Sequence, residues 1–551
     1  MKNAALRLRQ LLRQERTAIA LWALVITTAA WHVWYVQFFC DDSFISYRYA
    51  ENLASGKGLV FNEGERVEGY TNFLWVILLA LGLKLGWMPA GFSLFLGALS
   101  LLGILGTTFL LARIVLPVDH RQAAILPIAL LAFQGPLALW CTSGMESGLF
   151  TWMVLLSLLQ YENSRASRIR SCATGGLYAL ATMVRPDGAV FGAAAGLHFL
   201  LEGLVPKAAT MPRRQLMVRG GLVLGGFAAL FVPFMLWRRS YYGDWLPNTF
   251  YVKASSAIQS ELGSRYLTIF AREYWPLTAI TALGVCVSLF HRRLKPMRSA
   301  LCHFVLSMFA YLAYVGWAGG DYMALYRFVV PVLPIAAILA SVALVEAARL
   351  LPLERWVRRP SLRAALQVLL VGALGATQIP PTLQSVRGER PAEMISSQAQ
   401  MKRNSFLWSK AGQALGRLMP PGTTIATTAA GAIPYWSKLP SIDQSGLCDR
   451  YTAKVKSDPW MLDRPGHNKQ ATKAHLEDLK PELILWHPQI ADATTLMAPS
   501  PVENYLPRSM PIDGLTVQGR KQFLYFYLRK DLDQKFRTFG VKPPGQHIVP
   551  R

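Results

Sequence analysis

At 551 residues the chain is 52% hydrophobic and only 16% charged, which excludes a wholly water-soluble protein, since soluble domains carry roughly 25% charged residues. Its formal net charge of +25 sits in short segments between apolar runs. That is the pattern of loops retained on the cytoplasmic face of a membrane, and it argues against nucleic acid as a partner. The six cysteines form no CxxC pair or zinc-spaced cluster, and there is no P-loop, dinucleotide-binding glycine fingerprint or G-x-S-x-G elbow.

The chain opens on the basic stretch MKNAALRLRQLLRQER, followed by an apolar run from Thr17 to about Phe39. The run is too long for a signal-peptide core, so it reads as a first transmembrane helix with its N-terminus in the cytoplasm. A polar stretch follows at once, from Cys40 to Trp75: CDDSFISYRYAENLASGKGLVFNEGERVEGYTNFLW. Ionisable groups packed this densely against a membrane span mark a functional loop, placed over 40–71 on the outer face.

Four apolar stretches come next, at 71–87, 90–112, 122–140 and 147–161. Parity with the basic loops requires an odd number of crossings here, and Pro127 and Pro136 mark 122–140 as the broken one. Further apolar segments near 172–184, 188–203, 220–237, 268–290, 299–317, 328–348 and 364–380 bring the total to about eleven transmembrane helices. Their alternation puts VRPDG (184–188), YYGDWLPNTFYVK (241–253) and GGDYMALYRF (319–328) outside, with the polar loop.

After Pro380 the composition becomes mixed, and TTIATTAAGAIPYW, ELILWHP and QFLYFYL read as short buried strands. The expected fold is a polytopic α-helical membrane protein, with a transmembrane domain over 1–380 and a C-terminal extracytoplasmic α/β domain over 381–551.

Two readings fit Asp41 and Asp42. Asp42 or Ser43 can cap a short helix over FISYRYAENL, ended by Gly56 or Gly58. Alternatively, one carboxylate is a general base activating a hydroxyl at the membrane surface, and its neighbour, pointing elsewhere on the helix, holds a cation or the sugar. Arg48, Arg66, Arg185, Lys253 and Arg327 are the outer-face cations a leaving phosphate requires; salt bridges to Asp187, Asp244 and Asp321 account for them equally well. Glu68, Glu146, Asp187 and Asp321 are candidate acids for sugar hydroxyls, and Tyr70, Asn72, Tyr242 and Asn248 suit sugar stacking and hydrogen bonding. The aromatic residues also suit an interfacial belt. His467, in RPGHNK, completes the set.

In that order, DDSFISYRYAENLASGKGLVFNEGERVEGYTNFLW, SGMESGLF, VRPDG, YYGDWLPNTFYVK, GGDYMALYRFVVPVLP, GAIPYWSKLPSIDQSGLCD and RPGHNK resemble the terminal arabinofuranosyltransferase group. This group lies within the GT-C superfamily of polyprenyl-phosphate-sugar-dependent glycosyltransferases. SGMES and RPGHNK depart from the family's usual SG(L/M)ET and HPGHDK. The resemblance implies a GT-C fold and transfer of D-arabinofuranose from a polyprenyl-phosphate-linked donor to an extracytoplasmic glycan, glycolipid or protein acceptor, in the bacterial inner membrane among its lipids. It puts the family's essential acid on Asp41 or Asp42, the earlier position being the first choice. Some GT-C enzymes use a divalent cation and others do not; here Asp41 and Asp42 would be its ligands. The competing readings are a GT-C transferase for mannose or aminoarabinose, and a transporter of a lipid-linked substrate. A transporter places its charges near the bilayer midplane and often carries inverted repeats, neither of which the chain displays.

Overall fold

The computed structural model describes residues 19, 22–117, 123–204, 211–253, 258–350, 369–456 and 469–546. The chain packs as two units that interleave in sequence. One draws on Met1–Phe38, Leu94–Phe234 and Ser260–Gln398, the other on Phe39–Ser93, Met235–Gln259 and Ala399–Arg551.

The first unit is helical. In chain order its elements include α1 (Trp22–Val36), most of α4 (Pro89–Val115), α5 (Ile125–Ala132), α6 (Gly135–Thr142), α7 (Ser147–Asn163), α8 (Arg168–Val184), α9 (Gly188–Leu204) and most of α10 (Arg213–Tyr242). After these come α12 (Gln259–Glu273), α13 (Trp275–Phe290), α14 (Arg298–Ala318) and α15 (Leu333–Leu350). Helices packed in an apolar solvent gain little from hydrophobic burial between them and rely on close backbone approach. Gly175 of α8 and Gly226 of α10 supply it: a Cβ on either would fall on a carbonyl of the other helix, Val223 or Cys172.

Among the described residues four helices are long and apolar enough to cross a membrane, or up to seven if each of three bent pairs is one span. The 122–140 segment is broken as its prolines suggest, α5 and α6 meeting at 73° across Phe133 and Gln134. The 268–290 segment, expected to be continuous, is also broken: α12 and α13 meet at 100° at Tyr274, where Pro276 has no N–H to continue the ladder.

The second unit joins α2 (Asp41–Ala54), α3 (Phe73–Lys84) and α11 (Asn248–Lys253) to a five-stranded sheet. The 71–87 stretch yields only the 12 residues of α3, about 18 Å of helix, too short for a hydrocarbon layer of roughly 30 Å. The strands are β1 (Ile425–Thr427), β2 (Ser441–Asp443), β3 (Leu483–Ala491), β4 (Tyr505–Val517) and β5 (Arg520–Arg529), in the order β2-β1-β3-β5-β4. β1 runs parallel to β2 and β3; β5 is antiparallel to β3 and β4.

Alternation across the pleat sorts the core. Ile425, Leu483 and Leu485 pack with Ala411, Ala414 and Leu415 of the helix Gln398–Leu418, whereas Ala426 and Ile484 face Leu476 and Tyr505. ELILWHP and QFLYFYL form β3 and β5. Only the start of TTIATTAAGAIPYW is a strand: the chain turns at Gly431, and AIPYWS is a short helix, Ala432–Ser437.

Candidate active site

α2 begins where Cys40, extended at φ −70° and ψ 144°, turns into helix; no side chain caps it. The expected cap by Asp42 or Ser43 therefore does not form. Asp41 and Asp42 occupy the first turn, where the helix dipole favours carboxylates, and the Ser43 hydroxyl donates to the Cys40 carbonyl at 2.7 Å. The helix ends at Ala54, with Gly56 left-handed at φ 79°, as the sequence signal requires.

The Asp41 carboxylate turns away from its own helix. Its Oδ1 accepts the backbone N–H of Ala432 at 2.8 Å, beside Gly431. Gly431 has to be glycine: a Cβ there would fall on the Asp41 carbonyl and against its carboxyl carbon. Burial pushes the Asp41 carboxyl up to about 7; the Ala432 bond works against this, and the charges of Asp42 and Asp443 add to it. By residue exposure Asp41 and Asp42 are both half-buried.

The rest of α2 locks this arrangement. Arg48 is buried, its Nε bonded to the Phe61 carbonyl at 2.7 Å and its terminal nitrogens to the Pro434 and Leu439 carbonyls and Asn62 Oδ1 at 2.5, 2.9 and 3.1 Å. It is committed to backbone carbonyls rather than held out as a phosphate ligand. Glu51 accepts from Tyr435 at 2.8 Å and pairs with Lys438, and Tyr49 donates to the Val67 carbonyl at 2.6 Å.

Elsewhere in this unit, Glu68 lies 3.1 Å from Arg238; burial lifts its carboxyl to about 7 in spite of that charge. Tyr70 and Tyr242 share a hydroxyl contact of 3.0 Å, and Asn72 Nδ2 donates to Ser46 at 3.0 Å. The Asn248 amide donates to the carbonyls of Gly446, Leu447 and Asp449, tying YYGDWLPNTF to the turn after β2. Arg66 lies 4.7 Å over the Tyr241 ring, and Lys253 is exposed at the end of α11. His467 lies outside the described residues; its neighbour Lys469 donates to the Tyr251 and Ala453 carbonyls.

Two residues at this site escaped the sequence reading, Gly431 and Asp443. Asp443, at the end of β2, is buried and its carboxyl is pushed up to about 7, while it accepts from the Ser445 and Cys448 amides at 2.8 Å each. A glycine directly before AIPYW was the available signal for the first. Nothing in SIDQSG distinguishes Asp443 from an ordinary turn residue.

The helical unit holds its own constellation. Arg185 bridges Glu146 and Asp187 at 3.0 Å each, and Tyr311 donates to Asp187 at 2.8 Å. Arg327 pairs with Asp321 at 2.7 Å. The two guanidiniums share the Phe328 ring, 5.1 and 5.2 Å from its centre. Leu325 and Tyr326, just before Arg327, both have φ of 53°, a strained backbone held by buried surroundings.

Among the described residues no three His, Cys, Asp or Glu side chains gather as a divalent cation requires. At Asp41 one carboxylate oxygen already accepts the Ala432 amide proton, and Asp42 is the adjacent carboxylate of the helix.

A family model described as "Domain of unknown function (DUF8728)" matches residues 392–527. The chain is 33% identical over 305 residues to a terminal beta-(1->2)-arabinofuranosyltransferase of Mycobacterium tuberculosis, covering 51% of this chain and 46% of the relative. It thus spans about half the length of that relative. Among solved structures, ArnT from Cupriavidus metallidurans in the apo state superposes with a TM-score of 0.56 at 14% identity, over 92% of this chain and 98% of ArnT. The oligosaccharyltransferase AglB from Archaeoglobus fulgidus, in complex with an inhibitory peptide and a dolichol-phosphate, gives 0.54 at 12% identity over 86% and 69%. The chain shares the fold of ArnT and AglB, and the similarity read from its motifs, to terminal arabinofuranosyltransferases, stands.

Proposed function

We propose that this protein transfers a furanose sugar, D-arabinofuranose, from a polyprenyl-phosphate donor to an acceptor hydroxyl, with Asp41 as the base. The observation that carries the reading is the placement of the Asp41 carboxylate, half-buried in the first turn of the helix that follows the first apolar span and held at 2.8 Å by the Ala432 amide, with desolvation raising its pKa to about 7. A base works best when its pKa lies near the working pH.

In the reaction Asp41 takes the proton of the acceptor hydroxyl. The freed oxygen bonds to the anomeric carbon, and the bond from that carbon to the phosphate oxygen breaks, releasing polyprenyl phosphate. The lipid-linked donor is supported by AglB, a neighbour in fold solved with dolichol-phosphate, and the sugar by the similarity to an arabinofuranosyltransferase. The transmembrane domain over 1–380, about eleven crossings, a cytoplasmic N-terminus and an extracytoplasmic domain over 381–551 in the bacterial inner membrane belong to the same proposal. A glycan, glycolipid or protein is the acceptor class it admits.

The test is turnover of a short-chain polyprenyl-phosphoryl-D-arabinofuranose by purified protein in detergent, following released polyprenyl phosphate. Wild type should turn over and Asp41→Asn should not. Full activity in a folded Asp41→Asn variant would remove the basis of the reading.

A further inference from the structure

We propose that a cleft in the sheet-bearing unit, between the helix Gln398–Leu418 and the short helix Ala432–Ser437, binds the acceptor as a linear neutral oligosaccharide. The proposal rests on the transferase reading and adds to it the acceptor class and where its chain lies.

The cleft has a volume of about 570 Å³, the size of small-ligand sites, and is lined by Gln413, Arg417, Trp436, Ser437 and Lys438. An indole beside amide, hydroxyl and guanidinium groups is what a sugar ring requires. Its C–H face packs on an aromatic ring and its hydroxyls need donors and acceptors at the edge. Lys438 is not held out for an anion, because it is already paired with Glu51 and lies 4.0 Å over the Tyr435 ring, which leaves the Arg417 guanidinium as the other cation of the lining.

A second cleft, of about 670 Å³, shares Arg417, Met419 and Pro421 with the first and continues past Pro511 and Asp513. Two depressions meeting at Arg417 fit an extended chain better than a single small molecule.

The cleft is also tied to the candidate base. Gly412 and Gly416, one helical turn apart, let the two helices touch. A Cβ on Gly412 would lie 2.8 Å from the Ile433 carbonyl and 2.9 Å from Trp436 Cβ, and one on Gly416 would lie 3.1 Å from Ser437 Cα. The short helix whose Trp436 and Ser437 line the cleft is the one whose first amide, that of Ala432, holds Asp41. A glycan seated there rests on the element that positions the base.

The test uses full-length protein carrying Asp41→Asn, which prevents turnover, titrated with a linear oligoarabinofuranoside and with methyl arabinofuranoside. The oligosaccharide should bind about tenfold or more tightly than the monosaccharide, and Trp436→Ala and Arg417→Ala should each remove most of that gain. Arg417 is exposed, so its variant keeps the test open even where Trp436→Ala does not fold. Equal binding of both sugars, or an oligosaccharide affinity unchanged in Arg417→Ala, overturns the proposal. Release of polyprenyl phosphate by protein with Asp41 intact is read separately. Its absence counts against the transferase reading, whereas transfer without an oligosaccharide preference counts against the cleft alone.

Discussion

Asp41 and Ala432 stand 391 positions apart in the chain and meet through a 2.8 Å hydrogen bond from amide to carboxylate. The bond fixes the Oδ1 oxygen of the carboxylate. Because the backbone hydrogen bonds from Ala432 and Gly431 compensate only part of the burial, the Asp41 carboxyl is raised to about 7.

A base must be deprotonated to act, so sugar transfer should rise with pH through about 7, following the Asp41 titration. Asp41→Asn should lower turnover by about 10²–10⁴-fold and abolish that rising limb. Steady-state rates between about pH 5 and pH 9, for wild type and variant, check both.

The same group makes an opposite demand on stability. Its folded pKa is raised from 3.8 to about 7, so the folded state holds this proton more tightly than the unfolded one. The stabilisation is complete below the unfolded value and is lost as pH rises through the folded one. Asparagine retains an acceptor for the Ala432 amide and carries no charge. Asp41→Asn should therefore match wild type in thermal stability near pH 4 and exceed it increasingly towards about pH 8, by a difference on the order of a few kcal/mol. Thermal unfolding in detergent across that range is the measurement; a constant difference between the two proteins would contradict the buried titration.

Local chemistry was legible in the sequence and convergence was not. The polar loop after the first span, the helix from FISYRYAENL to Gly56, and the strands at ELILWHP and QFLYFYL follow from composition and period, which are properties of neighbouring residues. So does the break in 122–140, through its prolines. The commitment of Arg48 to carbonyls of Phe61, Pro434 and Leu439 does not, because two of its partners lie almost 400 positions away. Asp443 was missed for a similar reason: its burial depends on strands that pair only in the fold. The cap expected at Asp42 or Ser43 does not form because the helix starts earlier, at Asp41, which puts both residues inside its first turn and Cys40 at the cap position.

Gly431→Ala should be among the more damaging small substitutions in the sheet-bearing unit. The new methyl would collide with the Asp41 backbone carbonyl and carboxyl carbon, displacing the carboxylate. Misplacement by about 1 Å can cost roughly 10²-fold in rate, which is the loss expected in kcat. Gly91→Ala, whose Cβ meets nothing within 4 Å, is the control and should leave kcat unchanged. Comparing the two variants by turnover and by melting separates a displaced base from general unfolding.

Arg185 should behave as part of the helical framework. It faces two carboxylates, Glu146 and Asp187, against its one positive charge, so this trio is formally anionic and does not attract a phosphate. Arg185→Ala strips both acids of the guanidinium they share in a buried setting, and should cost about 3–5 kcal/mol. Arg185→Lys should recover only part of this, because a single ammonium does not reproduce the fork that reaches both. Combining Arg185→Met with Glu146→Gln and Asp187→Asn removes all three charges together and should restore most of the melting temperature. If Arg185→Ala instead melts like wild type while KM for the lipid donor rises at least about tenfold, Arg185 is a donor ligand and the framework role is wrong.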